Sequence, residues 1–323
     1  MKRFFEIKNG VVVNTSDETA PVCVIDTPDN QEKRHILDVL KIDGYDLDSA
    51  LDPDEISRVE FEVERISVIW KLPKQVAADL QLRFDVSSVG IFLNGPGLTM
   101  ICGEDLVQFS PKDFHGVVSP TDLLLRFLFA TTRHFMGHLK VIKQITMELE
   151  SKISASMENR YLLQMFALSE SLTYYLTAIE GNQTVLLKLS SKSAALGFSK
   201  TQIDFLDDIV LESKQCARQA QIYSTVLSGL MDARGTIINN NMNVLLKNLT
   251  MINVVFLPLN LIASIGGMSE FSMMTQGLGW KASYFLFSLA MLLIGWLTWF
   301  ALSRYLHRNA ETRIKRQADY SHR

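Results

Sequence analysis

Polar side chains recur at heptad spacing along one face of an otherwise apolar helical stretch. Asn239, Leu246, Asn253 and Asn260 form one row, and Asn243, Thr250, Leu257 and Ser264 form the other. Together they make an a/d seam, the narrow face that a helix turns toward copies of itself in a parallel bundle. A soluble coiled coil would make that seam apolar. Here it is mostly amide and hydroxyl, while Val254, Val255, Phe256, Leu259 and Ile262 cover the remaining faces. An amide inside an apolar span is costly unless it meets a partner or water. Two arrangements satisfy this requirement. In one, Asn253 and Asn260 hydrogen-bond neighbouring helices, at about 1 kcal/mol each. In the other they form rings of oxygen around a central path, with Leu246 and Leu257 as constrictions between them. Neutral oxygen rings suit a strongly hydrated divalent ion, whose waters bond to them without being stripped.

Other groups capable of chemistry are sparse. His134 and His138 stand four apart on a helical stretch, a spacing that can hold Zn²⁺. Arg133 and Lys140 flank them and no third ligand is evident, so a packed or solvated pair is the expected state. The chain has no nucleophile elbow, no P-loop and no GxGxxG, and the reading is not an enzyme. Cys23, Cys102 and Cys216 are widely spaced without a CxxC, which fits reduced thiols better than a disulfide framework.

The seam needs elements to position it. Two uncharged apolar runs close the chain, one between Lys247 and Glu270 and one between Lys281 and Arg304. Each matches the roughly 20 residues that cross a hydrocarbon core. With the two runs forming a terminal membrane hairpin, the central-path arrangement is the favoured one. Arg304, Arg308, Arg313, Lys315, Arg316 and Arg323 follow the second run, and Arg234 and Lys247 precede the first. Basic flanks stay cytoplasmic, so both ends of the hairpin belong inside a bacterial inner membrane. Trp280, Tyr284, Trp299 and Tyr305 fit the interfacial aromatic belts. Net charge is −3 with 21% charged residues, which excludes a nucleic-acid signature. The remaining partners are lipid and further copies of the chain.

Before the hairpin, Ser199 opens a stretch without proline until Pro258. A continuous helix from Lys200 to Ile265 would extend about 100 Å at 1.5 Å per residue. Gly229, Gly235 and Asn239–Asn241 are weak helix formers where it would bend. Ser119-Pro120-Thr121-Asp122 starts an earlier helix, with Leu124, Phe127, Leu128, Thr131, Phe135, Leu139, Ile142 and Ile145 on one face. A second helix is expected from Asn159 to Ile179, broken at Gly181-Asn182, with a short piece from Gln183 to Leu196. The first 115 or so residues read as a mixed α/β domain with an antiparallel sheet. Its expected strands are Val11–Val13, Val22–Ile25, Val59–Leu72, Leu80–Val86, Gly90–Leu93 and Leu98–Ile101, with a short helix at His35–Leu40. The organisation is then an α+β cytoplasmic domain (1–118), a cytoplasmic helical region (119–198) and a stalk helix (199–247). A pore-side membrane helix (248–269), an external link (270–281), a second membrane helix (282–303) and a basic cytoplasmic tail (304–323) follow.

The C-terminal pattern resembles the CorA metal-transport family. The resemblance rests on Leu227-Ser228-Gly229-Leu230-Met231-Asp232, then Asn243 and Leu246-Lys247-Asn248-Leu249-Thr250, Phe256-Leu257-Pro258-Leu259 and Gly267-Met268. That family carries Gly-Met-Asn after its first membrane helix; this chain has Gly267-Met268-Ser269. Zinc transporters of the ZntB type also depart from the motif, at its middle residue. The resemblance implies a funnel-shaped homopentamer with one pore helix per subunit and a second helix facing lipid. It also implies an outer selectivity mouth at Gly267, Met268 and Ser269, with Glu270 attracting cations beside it. A regulatory acidic site on the stalk falls at Asp207-Asp208, where a solvated helix face is the competing reading. Its expected partner region, Lys71-Leu72-Pro73-Lys74-Gln75, is basic, leaving Asp79 or Asp85 as substitutes. No tightly bound cofactor is expected. Mg²⁺ or Zn²⁺ is the transported ion and candidate regulator, moved down its electrochemical gradient. The alternative from another class is a non-conducting, membrane-anchored oligomeric scaffold or metal sensor.

Overall fold

The computed structural model describes residues 1–74, 83–155, 159–269, 273, 277 and 279–321. The side chains of 153–159 and 305–321 are outside this description. Asp79, Leu80, Glu270 and most of the 270–281 link therefore lie outside the described residues, as do the side chains of Tyr305 and the basic tail. The chain divides into two compact units, Met1–Asp232 and Ala233–Arg323.

In the first unit, β1 (Lys2–Lys8), β2 (Val11–Thr15), β3 (Val22–Asp26), β4 (Arg58–Phe61), β5 (Arg65–Pro73), β6 (Val86–Asn94) and β7 (Gly97–Cys102) build one sheet. The strand order is β2-β1-β3-β7-β6-β5-β4. The sheet is mixed rather than purely antiparallel: Val22–Asp26 runs parallel to Leu98–Cys102, the two joined by a long excursion through two helices and three strands. The expected strand Val59–Leu72 is two strands, because Glu62–Glu64 turn the chain and Arg65 ties the turn to Glu62 at 2.9 Å. The stretch before Val86 carries no strand among the described residues.

One sheet face is covered by α1 (Asn30–Asp38) and α2 (Gly44–Leu51), around Ile25, Ile36, Leu47, Ile69 and Phe92. Asp29 and Glu32 close a capping box at the start of α1, which begins earlier than His35. The other face packs against α3 (Pro120–Ala155), α4 (Asn159–Lys192) and the start of α5 (Lys200–Gly266). Ser119 and Asp122 bond reciprocally at the entry to α3. Away from the sheet the three helices form their own core of Phe135, Leu139, Ile142, Leu172, Tyr175, Cys216 and Leu227.

Gly181-Asn182 does not break a helix, and α4 runs through it. Strand β4 pairs with β5 only as far as Arg58 and Ile69, so the main chain of Lys71 loses its partner on that side. Asn182 takes the missing strand's place. Its Oδ1 accepts from the Lys71 amide at 3.0 Å and its Nδ2 donates to the Lys71 carbonyl at 2.9 Å. Ser57 Oγ donates to the same Oδ1 at 2.8 Å. Gly181 permits the approach, since a Cβ there would come within 3.1 Å of Ser57 Oγ. Removing the amide leaves buried backbone groups unsatisfied, at about 1–3 kcal/mol each. Asn182→Leu is expected to destabilise the first unit by about 3 kcal/mol, read as a shift in its urea midpoint. A change within about 0.5 kcal/mol, the range of an ordinary surface substitution, would contradict the clasp.

In the second unit, the end of α5 packs antiparallel to α6 (Trp280–Ser321), with Gly266 against Phe287 and Leu259 against Gly295. Both helices are long and apolar enough to cross a membrane. Helices with so much exposed apolar surface are stable only where lipid or protein replaces water.

Candidate membrane pathway

The packing of α5 on α6 separates the faces of α5. Val255 is buried, and Met251, Leu259, Ile262 and Gly266 are half-buried, at spacings of three and four. Their counterparts on α6 are Ser283, Phe287, Met291, Ile294, Gly295, Thr298 and Leu302. The tip of the Phe287 ring lies against Gly266, where an added Cβ would approach Cζ to 2.5 Å. Near the other end, Leu259 fits over Gly295.

All eight seam residues, Asn239, Asn243, Leu246, Thr250, Asn253, Leu257, Asn260 and Ser264, are exposed and belong to α5. At about 100° per residue, the seam is centred roughly opposite Val255 and the face that meets α6. From Leu249 to Ile265 the other exposed positions are apolar, among them Ile252, Val254, Phe256 and Ile265, while Asn248 at the start of the span is polar and exposed off the seam. The polar stripe is thus the face of α5 turned away from α6, its helical neighbour among the described residues of the unit. Within it, Thr250 Oγ1 donates to Leu246 O at 2.8 Å. That bond uses the hydroxyl proton on the helix itself and leaves oxygen lone pairs outward, suited to the hydrogens of a cation's water shell. Leu246 is 52% and Leu257 68% exposed, apolar bands within the polar row.

At the end of α5, the Gly267 amide donates to Ala263 O and the Met268 amide to Ile265 O, both at 3.1 Å. This turn carries Gly267, Met268 and Ser269 out of the helix, all three exposed. Trp280, Tyr284 and Trp299 are exposed on α6, as interfacial anchors require. The sequence reading missed the packed pair. Its signal was present: Gly266 and Gly295 inside apolar spans mark close helix approach.

The acidic pair on α5 is exposed, and Asp207 Oδ1 accepts from Ser190 Oγ at 3.1 Å. Asp85 lines a separate polar cleft with Asp54, Lys74, Arg83 and Glu170. Among the described residues, no three His, Cys, Asp or Glu side chains gather into a metal-binding group. The basic segment at the end of β5 is structural. Lys71 Nζ donates to Pro53 O and Ser88 Oγ, with burial pulling its pKa down, and Lys74 pairs with Glu104 at 2.6 Å.

His134 and His138 face the same way on α3, their ring centroids 4.5 Å apart. His138 Nδ1 lies 2.7 Å from Tyr175 Oη. Burial lowers the pKa of both imidazoles, that of His138 to about 4.

Comparison with known proteins agrees with this architecture. Residues 24–304 match the model of the CorA-like Mg²⁺ transporter protein family. The cobalt/magnesium transport protein CorA of Methanocaldococcus jannaschii is 24% identical over 253 residues, 75% of this chain and 77% of that protein. The complete structure of the CorA magnesium transporter from the same organism superposes with a TM-score of 0.74 at 21% identity, covering 94% of this chain and 98% of the other. The ZntB cytoplasmic domain from Vibrio parahaemolyticus superposes with a TM-score of 0.57 at 11% identity, covering 74% and 98%.

Proposed function

Because this chain belongs to the CorA-like Mg²⁺ transporter protein family, we propose that it conducts hydrated divalent cations, Mg²⁺ or Zn²⁺, across the bacterial inner membrane. Five copies surround one path, and the seam from Asn239 to Ser264 lines it, with Gly267, Met268, Ser269 and Glu270 at the outer mouth. Both termini are cytoplasmic, and the ion gradient and membrane potential drive the flux. One observation carries this reading: the polar stripe lies opposite the face that α5 buries against α6. A stripe of amides in an apolar span is stable only against water or matching helices, and a ring of copies supplies both. The related magnesium transporter supports Mg²⁺ as cargo. Ser269 in place of the family's Asn keeps Zn²⁺ beside it.

Cysteine cross-linking tests the assignment. Single cysteines at Asn253, Leu257 or Asn260 are expected to form intersubunit disulfides readily, whereas Val255→Cys and Ile262→Cys, on the α6 face, form few. Equal cross-linking from both faces would remove the seam from the axis. Metal flux in proteoliposomes separates the channel from a scaffold, since a scaffold passes no ion.

A further inference from the structure

We propose that His134 and His138 form a binding site on the cytoplasmic unit for one imidazole-seeking divalent ion, of the Zn²⁺, Ni²⁺ or Cu²⁺ class, distinct from the membrane pathway.

Three features support it. First, one turn of α3 brings the rings to 4.5 Å between centroids with 69° between their planes, close enough for one ion to bridge a nitrogen of each. Second, His138 is held in place. Its Nδ1 meets Tyr175 Oη at 2.7 Å, and the Phe84 ring stands edge-on at 5.8 Å. With an ion on Nε2, the ring would carry its proton on Nδ1 and donate it to the tyrosine oxygen. A hydrogen bond on the second ring nitrogen is the usual support of a metal-bound imidazole. Third, competition for the site is low. The neighbouring Arg133 guanidinium lies 5.8 Å over the Phe129 ring, one turn back along α3. Asp105, in the cleft that His134 borders, is paired with Arg3 at 2.9 Å.

Two imidazoles with water in the remaining positions select against Mg²⁺, which demands oxygen ligands. They also give moderate affinity, since a closed zinc site uses four protein ligands. A bound ion would staple residues 134 to 138 and, through Tyr175, tie α3 to α4. The protein would thus sense borderline metals separately from any oxygen-ligated ion.

The test is Zn²⁺ and Cu²⁺ binding by the full-length protein in detergent at pH 7 with millimolar Mg²⁺ present. One Zn²⁺ per chain is expected from titration calorimetry, and the Cu²⁺ electron paramagnetic spectrum should show two nitrogen ligands. His134→Asn should weaken Zn²⁺ at least tenfold and leave one nitrogen. His138→Asn should do the same, and Tyr175→Phe should weaken binding severalfold. His134 is the more exposed ring, so its variant keeps the test valid if His138→Asn fails to fold. Unchanged isotherms in His134→Asn, or displacement of Zn²⁺ by Mg²⁺, would overturn the site. Neither readout depends on ion flux, so its failure and that of the pore reading are distinguishable.

Discussion

Replacing Leu257 with Asn is expected to raise basal divalent-cation flux about tenfold, equivalent to about 1.4 kcal/mol of barrier. Leu257 is 68% exposed on the seam, between Asn253 one turn before and Asn260 one turn after. A ring of leucines at that level offers water no hydrogen bonds, so a narrow passage empties and an ion with its shell cannot enter. An amide ring restores those bonds and makes the polar row continuous from Asn253 to Asn260. Leu257→Val is the control, because it keeps the ring apolar and should leave flux low. Initial Mg²⁺ uptake into proteoliposomes, normalised to reconstituted protein, is the measurement. Equal or lower flux in a folded Leu257→Asn protein would place the closing barrier elsewhere.

The seam was legible because heptad spacing and an unexpected chemistry coincide there, and burial cost makes polar residues in an apolar span conspicuous. Which face meets α6 was less so. Val254 and Val255 are the same residue type, yet one is exposed and the other buried against the second helix. Apolar side chains suit lipid and protein equally, so composition alone does not sort those faces. The error at Gly181-Asn182 has a related cause. That pair terminates helices when its neighbours are solvent, but here a bare strand edge at Lys71 gives the amide a better partner than a helix cap. Tertiary hydrogen bonds overrode local propensity. The parallel pairing of β3 with β7 was hidden in the same way, being made between strands far apart in the chain. Helix α2, only eight residues, was not among the expected elements; at its start Asp43 Oδ1 accepts from the Gly44 amide at 2.8 Å.

Restoring the family residue with Ser269→Asn is expected to raise the Mg²⁺ to Zn²⁺ flux ratio about tenfold, again about 1.4 kcal/mol of discrimination. The physical difference is reach. A serine hydroxyl is one short donor and acceptor, whereas an amide extends further and carries a carbonyl beside an NH₂. Five serines at the mouth make a wider ring that holds a hydrated ion less firmly. Mg²⁺ keeps its six waters tightly and is read through that shell, while Zn²⁺ exchanges water readily and prefers nitrogen or sulfur when dehydrated. The proposed path is lined by amides, hydroxyls and leucines, with no imidazole or thiolate. Wild-type protein should therefore sort hydrated divalent ions weakly, by charge and size. A tighter amide ring favours the ion whose hydrated form is most rigid, which is Mg²⁺. The ratio of initial fluxes in matched proteoliposomes decides the matter. A wild type that already excludes one ion almost completely, or a Ser269→Asn variant with an unchanged ratio, would show that selection occurs deeper along the seam, at Asn253 or Asn260, and not at the mouth.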